Sequence, residues 1–154
     1  MNITSENKII SKKEFQLDEV PQSICCFGST ALIQSAMGYL LLNFENSSVQ
    51  RILDKGPERE NVPMAAMAFY EQYLLTGPGG LGVFITTQGM PGSPPIQLSS
   101  NNKSVGEIDQ YLAVDDCEFV TIYGRGENSN VNDPIEQLQI IPIPGVKHII
   151  YSER

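Results

Sequence analysis

Tyr73-Leu-Leu-Thr-Gly-Pro-Gly-Gly-Leu-Gly-Val-Phe-Ile-Thr86 is the stretch that decides the fold. It reads as two strands joined by a tight turn, because short apolar runs flank a cluster of glycine and proline. The same pattern occurs in Ala31–Phe44 and in Tyr111–Tyr123. The second strands begin near residues 39, 82 and 118. This repeat of roughly 40 residues has the length of one four-stranded β-propeller blade.

Strands on either side of these hairpins extend the repeat into an all-β fold, a partial β-propeller. The predicted domain covers residues 13–151 and contains about three four-stranded blades, near residues 23–53, 64–98 and 105–141, plus two blade fragments. Residues 1–12 are expected to form a flexible N-terminus and residues 152–154 a tail.

The two fragments flank the three blades. Lys13–Leu17 is predicted to be the outer strand of a preceding blade, and Val146–Tyr151 alternates like the inner strand of a following one. About four to eight blades are needed to close a propeller, and natural proteins avoid open sheet edges. We therefore expect the chain either to be part of a longer protein or to be completed by a second copy in a homodimer.

One segment has two interpretations. Met64–Tyr73 could form a helix, because alanine and methionine favour helices. Its position in the repeat instead favours an inner strand, whose small side chains suit the crowded axis of a propeller.

Charge and hydropathy narrow the choice of partners. The formal net charge of −8 repels phosphate backbones, so nucleic acid is not an expected partner. A basic surface on another protein would be a better match. Residues 72–102 carry no charge, but glycines and prolines interrupt them too often for a membrane-spanning helix. We expect this stretch to be a blade with uncharged loops.

Residues that could carry catalysis or bind a metal are few and scattered. The chain has three cysteines: Cys25, Cys26 and Cys117. An odd number does not indicate a disulfide framework, and this favours a cytoplasmic location. We expect them to be small apolar residues in strands. His148 is the only histidine and has no partner at a zinc-ligand or catalytic spacing. We expect no catalytic residues, no metal site and no cofactor.

Gly77-Pro-Gly-Gly-Leu-Gly82 matches the glycine pattern of dinucleotide-binding turns. Such a site requires a helix after the glycines and an acidic residue farther on. Here Val83–Thr87 reads as a strand, and no acidic residue occurs between Gly82 and Glu107. The glycines therefore indicate a tight turn with positive φ.

Asp115 and Asp116 occupy the corresponding turn of the third repeat. Two adjacent carboxylates could hold a cation or form an acid–base pair, if burial separated their pKa values. An acidic pair in a turn is more often solvated, and we expect that here.

Specific residues resemble a known family. Its sequence features appear in order in Glu14–Leu17, Ile24–Gly28, Tyr39–Asn43, Leu74–Phe84 and Tyr111–Asp115. Together these segments are similar to the citron-homology (CNH) β-propellers of the transforming growth factor-β (TGF-β) receptor-associated family. The resemblance covers roughly residues 13 to 151, and the stretch from Gly77 to Phe84 carries most of its specificity.

The resemblance implies a role in vesicle-mediated endosomal transport. The family supplies a subunit of CORVET, a tethering complex of early endosomes, and binds TGF-β-family receptors and a Smad co-factor. The expected partners are thus other tethering-complex subunits and a Rab-family GTPase, with a TGF-β-family receptor or a Smad as further candidates. The expected location is cytoplasmic and peripheral on the early endosome membrane. No enzymatic motif carries over.

The turns between paired strands are the expected binding surface, because propeller loops from successive blades present one face to a partner. We call this set the predicted rim; it comprises Gly38, Pro78, Gly79, Gly80, Asp115 and Asp116. Two other functions stay open: a small, independent β-protein that binds a nucleotide or cation, and a self-associating half-propeller.

Overall fold

A computed structural model shows how the predicted strands are arranged. It describes residues 2–3, 9–10, 13–54, 64–67, 71–76, 78–99, 101–108, 110–126, 129–130, 132–147 and 149. Within these ranges, no helix is long and apolar enough to cross a membrane.

The described strands form three four-stranded antiparallel sheets and one small two-stranded sheet. The small sheet pairs β1 (Asn2–Ile3) with β2 (Ile9–Ile10). Blade 1 contains β3 (Pro21–Phe27), β4 (Thr30–Ser35), β5 (Gly38–Asn43) and β6 (Val49–Asp54). Blade 2 contains β7 (Met64–Met67), β8 (Gln72–Thr76), β9 (Leu81–Thr86) and β10 (Ile96–Gln97). Blade 3 contains β11 (Ser104–Ile108), β12 (Tyr111–Asp115), β13 (Phe119–Gly124) and β14 (Glu136–Pro142).

Each blade is a simple meander, in which every strand pairs with the next along the chain. The first strands of the blades lie together, because β7 contacts both β3 and β11. The fold is therefore a partial β-propeller with three blades, and the three sheets do not close into a ring. The predicted fold class is confirmed.

The second strands of the blades, β4, β8 and β12, are buried on both faces almost along their whole length, which explains their apolar sequences. In β4, Leu32 faces the core between blades 1 and 2, whereas Ala31 and Ile33 face the other side of the sheet. In β8, Tyr73 and Leu75 face blade 1, and Leu74 belongs to the core between blades 2 and 3.

Most of the predicted strands agree with the structure within a few residues. For the segment that could be a helix or a strand, β7 shows which is correct. Residues 64–67 pair with 72–75 as a strand and do not form a helix. The strand prediction for Lys13–Leu17 is wrong, since residues 13–17 are irregular. Phe15 and Leu17 nevertheless cover the outer face of blade 1, where a preceding blade was expected.

The predicted strand Val146–Tyr151 falls partly outside the described residues. Residues 146, 147 and 149 are not in a strand, and Ile149 packs against β11 at Gly106. His148 lies outside the described residues. Cys25 packs on the core between blades 1 and 2, and Cys26 is exposed on the opposite face. Cys117 is not in a strand: it occupies a turn with φ 77°.

Two tyrosines connect blades 1 and 2 with hydrogen bonds. The hydroxyl of Tyr73 lies 2.8 Å from Thr30 Oγ1 and accepts a 3.1 Å bond from the backbone N–H of Phe27. The hydroxyl of Tyr39 donates to the carbonyl oxygen of Thr76 at 3.1 Å. Burial raises the pKa of Tyr73 above its ordinary value of 10.0, although both of its hydrogen bonds act in the opposite direction.

Blades 2 and 3 share a buried polar contact. The side chain of Gln72 holds Ser93 through bonds of 2.7 Å to its N–H and 2.9 Å to its hydroxyl. Arg125 of blade 3 donates to the same hydroxyl and, through Nε, to the carbonyl oxygen of Asp133 at 2.7 Å. This contact ties the loop after β9 to the end of β13.

Candidate protein-interaction rim

The predicted rim maps onto three equivalent turns. Each lies between the second and third strands of its blade: residues 36–37 in blade 1, residues 78–80 in blade 2 and residues 116–118 in blade 3. Equivalent turns of adjacent meanders lie at the same end of their sheets. The sequence correctly located these turns; whether they bind a partner stays a prediction.

Ser35 organises the turn of blade 1. Its hydroxyl accepts hydrogen bonds of 3.2 Å from the backbone N–H groups of Met37 and Gly38, and it donates to the carboxylate of Glu19. Arg51 on β6 forms an ion pair with the same carboxylate. The bond from Ser35, followed by that from Arg51, holds the pKa of Glu19 below its ordinary value of 4.5.

The turn of blade 2 depends on its glycines. Gly79 and Gly80 have φ values of 69° and 81°, which side-chain-bearing residues rarely adopt. The carbonyl oxygen of Gly80 accepts a 2.8 Å bond from the N–H of Leu98, and that of Gly79 accepts one of 2.8 Å from Gln97 Nε2. The prediction of a positive-φ turn followed by a strand is confirmed, because β9 begins at Leu81.

The acidic pair in blade 3 differs from the prediction. Asp115 is 0% exposed, so the expectation that both carboxylates are solvated is wrong. It ends β12, a middle strand with Ser104 on one side and Val120 on the other, and neighbouring strands cover it. Its Oδ1 accepts a 2.8 Å bond from the N–H of Cys117, while its Oδ2 finds no donor among the described residues.

Asp116, by contrast, is partly exposed and shapes the turn. Its Oδ1 accepts bonds of 3.1 Å and 2.9 Å from the backbone N–H groups of Glu118 and Phe119. Both carboxylates therefore stabilise the turn, and only Asp116 can contact a partner. No group of three or more histidine, cysteine or acidic side chains is placed to hold a metal ion in the part of the chain that the structure describes.

The structure adds three apolar side chains that the sequence did not single out. Met37, Leu81 and Phe119 are 62%, 41% and 39% exposed, and one lies in or directly after each of the three turns. We call them the apolar trio. Their equivalent positions in the repeat were visible in the sequence, but their exposure was not, because it depends on how the blades pack.

The fold places the chain in the class of β-propeller proteins, and a CNH domain is among the solved structures that it resembles. The chain superimposes on the AfRom2 CNH domain with a TM-score of 0.58 and 20% identity, over 92% of this chain and 46% of that one. The N-terminal domain of Nup159 gives a TM-score of 0.56 and 12% identity, over 92% and 35%. At these identities the likeness concerns the fold alone. No protein-family model matches the chain.

The sequence is similar to a particular protein, transforming growth factor-beta receptor-associated protein 1. The chain is 27% identical to the Mus musculus protein over 123 residues and 26% identical to the Bos taurus protein over 118 residues. These matches cover 80% and 77% of this chain. The chain spans 14% of the length of both relatives.

Proposed function

We propose that this chain is a non-catalytic protein-interaction module, part of the propeller of an endosomal membrane-tethering subunit of the CORVET type. The similarity to a receptor-associated protein supports an interaction role. The structural observation that carries the proposal is the apolar trio, with one exposed apolar residue at each equivalent turn. A partner that docked across the three turns would remove these apolar side chains from water, which favours binding.

The proposed partners are other tethering subunits and a Rab-family GTPase, with a TGF-β-family receptor or a Smad as further partners. Asp116 places a negative charge beside Phe119, which suits a partner surface that combines apolar and basic groups. The proposed location is cytoplasmic and peripheral on early endosomes.

The test compares two triple variants in a capture experiment. In the first, Met37, Leu81 and Phe119 are changed to serine. The matched control changes three other exposed apolar residues to serine: Val49, Met90 and Leu138. They are 43%, 62% and 49% exposed and lie toward the ends of their sheets that are opposite the three turns. We expect the tagged first variant to lose endosomal tethering subunits while the control keeps them. Equal capture by both variants would refute the role of these turns, and capture of no such subunit by the wild type would refute the function.

Two competing functions are separated by measurements on the purified chain. Stabilisation by micromolar nucleotide, Ca²⁺ or Mg²⁺ in a thermal shift would favour a ligand-binding β-protein, because a ligand that binds only the folded state stabilises it. A dimer that dissociates on dilution, with loss of cooperative unfolding, would favour a self-associating half-propeller.

A further inference from the structure

A groove lies between blades 2 and 3 near their outer strands. Blade 2 ends in a two-residue strand, β10, whereas the outer strands of blades 1 and 3 contain 6 and 7 residues. The short strand leaves part of the facing surface of blade 3 uncovered. The resulting cavity has a volume of about 370 Å³, toward the lower end of the roughly 300–1,000 Å³ of ligand pockets. It can hold a short segment but not a folded domain.

The walls of the groove combine apolar surface with one charge. Phe119 and Ile140 line it and are 39% and 50% exposed. Among the described residues that line it, Asp116 is the only charged one, and none is a lysine or arginine. Gln97 and Ser99 contribute polar groups on the side of blade 2.

One polar atom in the groove lacks a partner. Asn102 lines the cavity, and its Oδ1 is buried with no hydrogen-bond donor among the described residues. A buried acceptor of this kind is costly unless a donor satisfies it. A ligand N–H group that reaches this oxygen would supply the donor.

We infer that this groove binds an extended segment of a partner protein that carries a lysine or arginine beside an aliphatic residue. The aliphatic side chain would lie on Phe119 and Ile140, and the cation would lie near Asp116. An N–H group of the segment would donate to Asn102. The charge complementarity agrees with the net charge of −8. The inference rests on the proposed interaction function and names the partner chemistry of one surface.

The probe is a phage-displayed library of random dodecapeptides, selected on the purified full chain. We expect enriched peptides to share a basic residue next to isoleucine, leucine or valine. The Thr121→Arg variant is used first to remove peptides that bind elsewhere on the protein. Its long cationic side chain would fill the groove and approach Asp116. Its fold is checked by circular dichroism and thermal unfolding. No enrichment over the Thr121→Arg chain, or enrichment of acidic peptides, would overturn the inference.

Binding of a labelled selected peptide then tests the charge. Asp116→Asn keeps the oxygen that accepts from Glu118 and Phe119 and removes only the charge. We expect about two- to fivefold weaker binding, the range for a partly exposed ion pair. The control Glu45→Gln removes an equal charge at an exposed site in blade 1 and should leave affinity unchanged. Equal affinities of wild type and Asp116→Asn would contradict the inference.

Other occupants give different results. If a second copy fills the groove, sedimentation shows a wild-type dimer that Thr121→Arg abolishes, and the peptide proposal fails. The proposed function is tested separately by capture of endosomal subunits. Peptide binding without that capture refutes the endosomal role alone, and capture without peptide binding refutes the groove alone.

Discussion

The hydroxyl group of Tyr39 in blade 1 donates a 3.1 Å hydrogen bond to the backbone carbonyl oxygen of Thr76 in blade 2. Tyr39 is 1% exposed, so the bond lies in the core between the blades. Tyr73 makes a similar connection in the opposite direction, from blade 2 to the β3–β4 turn of blade 1. Apolar packing brings the two sheets together, and these two directional bonds fix how one lies against the other.

We expect Tyr39→Phe to lower the free energy of unfolding by about 1 kcal/mol, the usual net value of one buried hydrogen bond. The ring stays in place, so the apolar core is kept. Urea unfolding followed by fluorescence measures the change. Tyr111→Phe is the control, because the Tyr111 hydroxyl accepts its bond from the neighbouring Gln110 within one blade. If both variants lose the same free energy of unfolding, the bond between the blades does not contribute more to stability than the bond within one blade.

Gly79→Ala and Gly80→Ala separate backbone strain from crowding. Both positions have positive φ, which costs an alanine roughly 1–2 kcal/mol. A Cβ at Gly79 meets nothing within 4 Å, whereas one at Gly80 would lie 2.5 Å from the carbonyl oxygen of Leu98. We expect Gly80→Ala to be less stable than Gly79→Ala by about another 1–3 kcal/mol. Chemical denaturation measures both, and equal stabilities would contradict the close approach.

Tyr123 makes the folded chain less stable at alkaline pH. Burial, followed by the charge of Asp116, raises its pKa above the ordinary value of 10.0. The unfolded chain therefore loses this proton at lower pH than the folded chain, and stability falls as pH rises above 10.0. We expect Tyr123→Phe to lose less stability than the wild type between about pH 9 and pH 11. Parallel stability curves over that range would rule out this effect.

Glu19 makes the stability of the chain depend on pH in the acid range, where stability falls as pH is lowered. Its pKa is lowered by hydrogen bonds from Ser35 and Arg51, so its contribution is present above 4.5 and disappears as pH falls through the folded-state value. We expect Glu19→Gln to be less stable than the wild type at neutral pH, with a difference that shrinks on acidification. Thermal unfolding from roughly pH 6 to pH 3 measures this. A difference that is constant with pH would exclude the carboxylate as its source.

The strands and turns could be predicted from the sequence because they depend on local patterns. The runs around Leu41, Leu74 and Val114 are short and apolar, and turn residues separate them at a regular spacing. The positive φ of Gly79 and Gly80 follows from the same local chemistry. These features require no knowledge of which blade lies beside which.

The features that could not be predicted from the sequence depend on contacts between residues that are distant in the chain. Residues 13–17 have a strand-like sequence but cover the face of blade 1 with the side chains of Phe15 and Leu17, without pairing. The groove lies beside β10, which is only two residues long, and the spacing of the repeat does not reveal the length of an outer strand.

Asp115 offers a test of how a buried carboxylate acts in the predicted rim. Asp115→Ala removes the acceptor for the N–H of Cys117 in a turn with positive φ, and we expect a loss of about 1–3 kcal/mol. Asp115→Asn keeps an oxygen for that bond and replaces only the carboxyl group. We therefore expect it to be clearly more stable than Asp115→Ala and to capture partners as the wild type does. Loss of capture in a folded Asp115→Asn chain, or a Ca²⁺-dependent thermal shift that this variant abolishes, would instead give the carboxylate a direct role in binding.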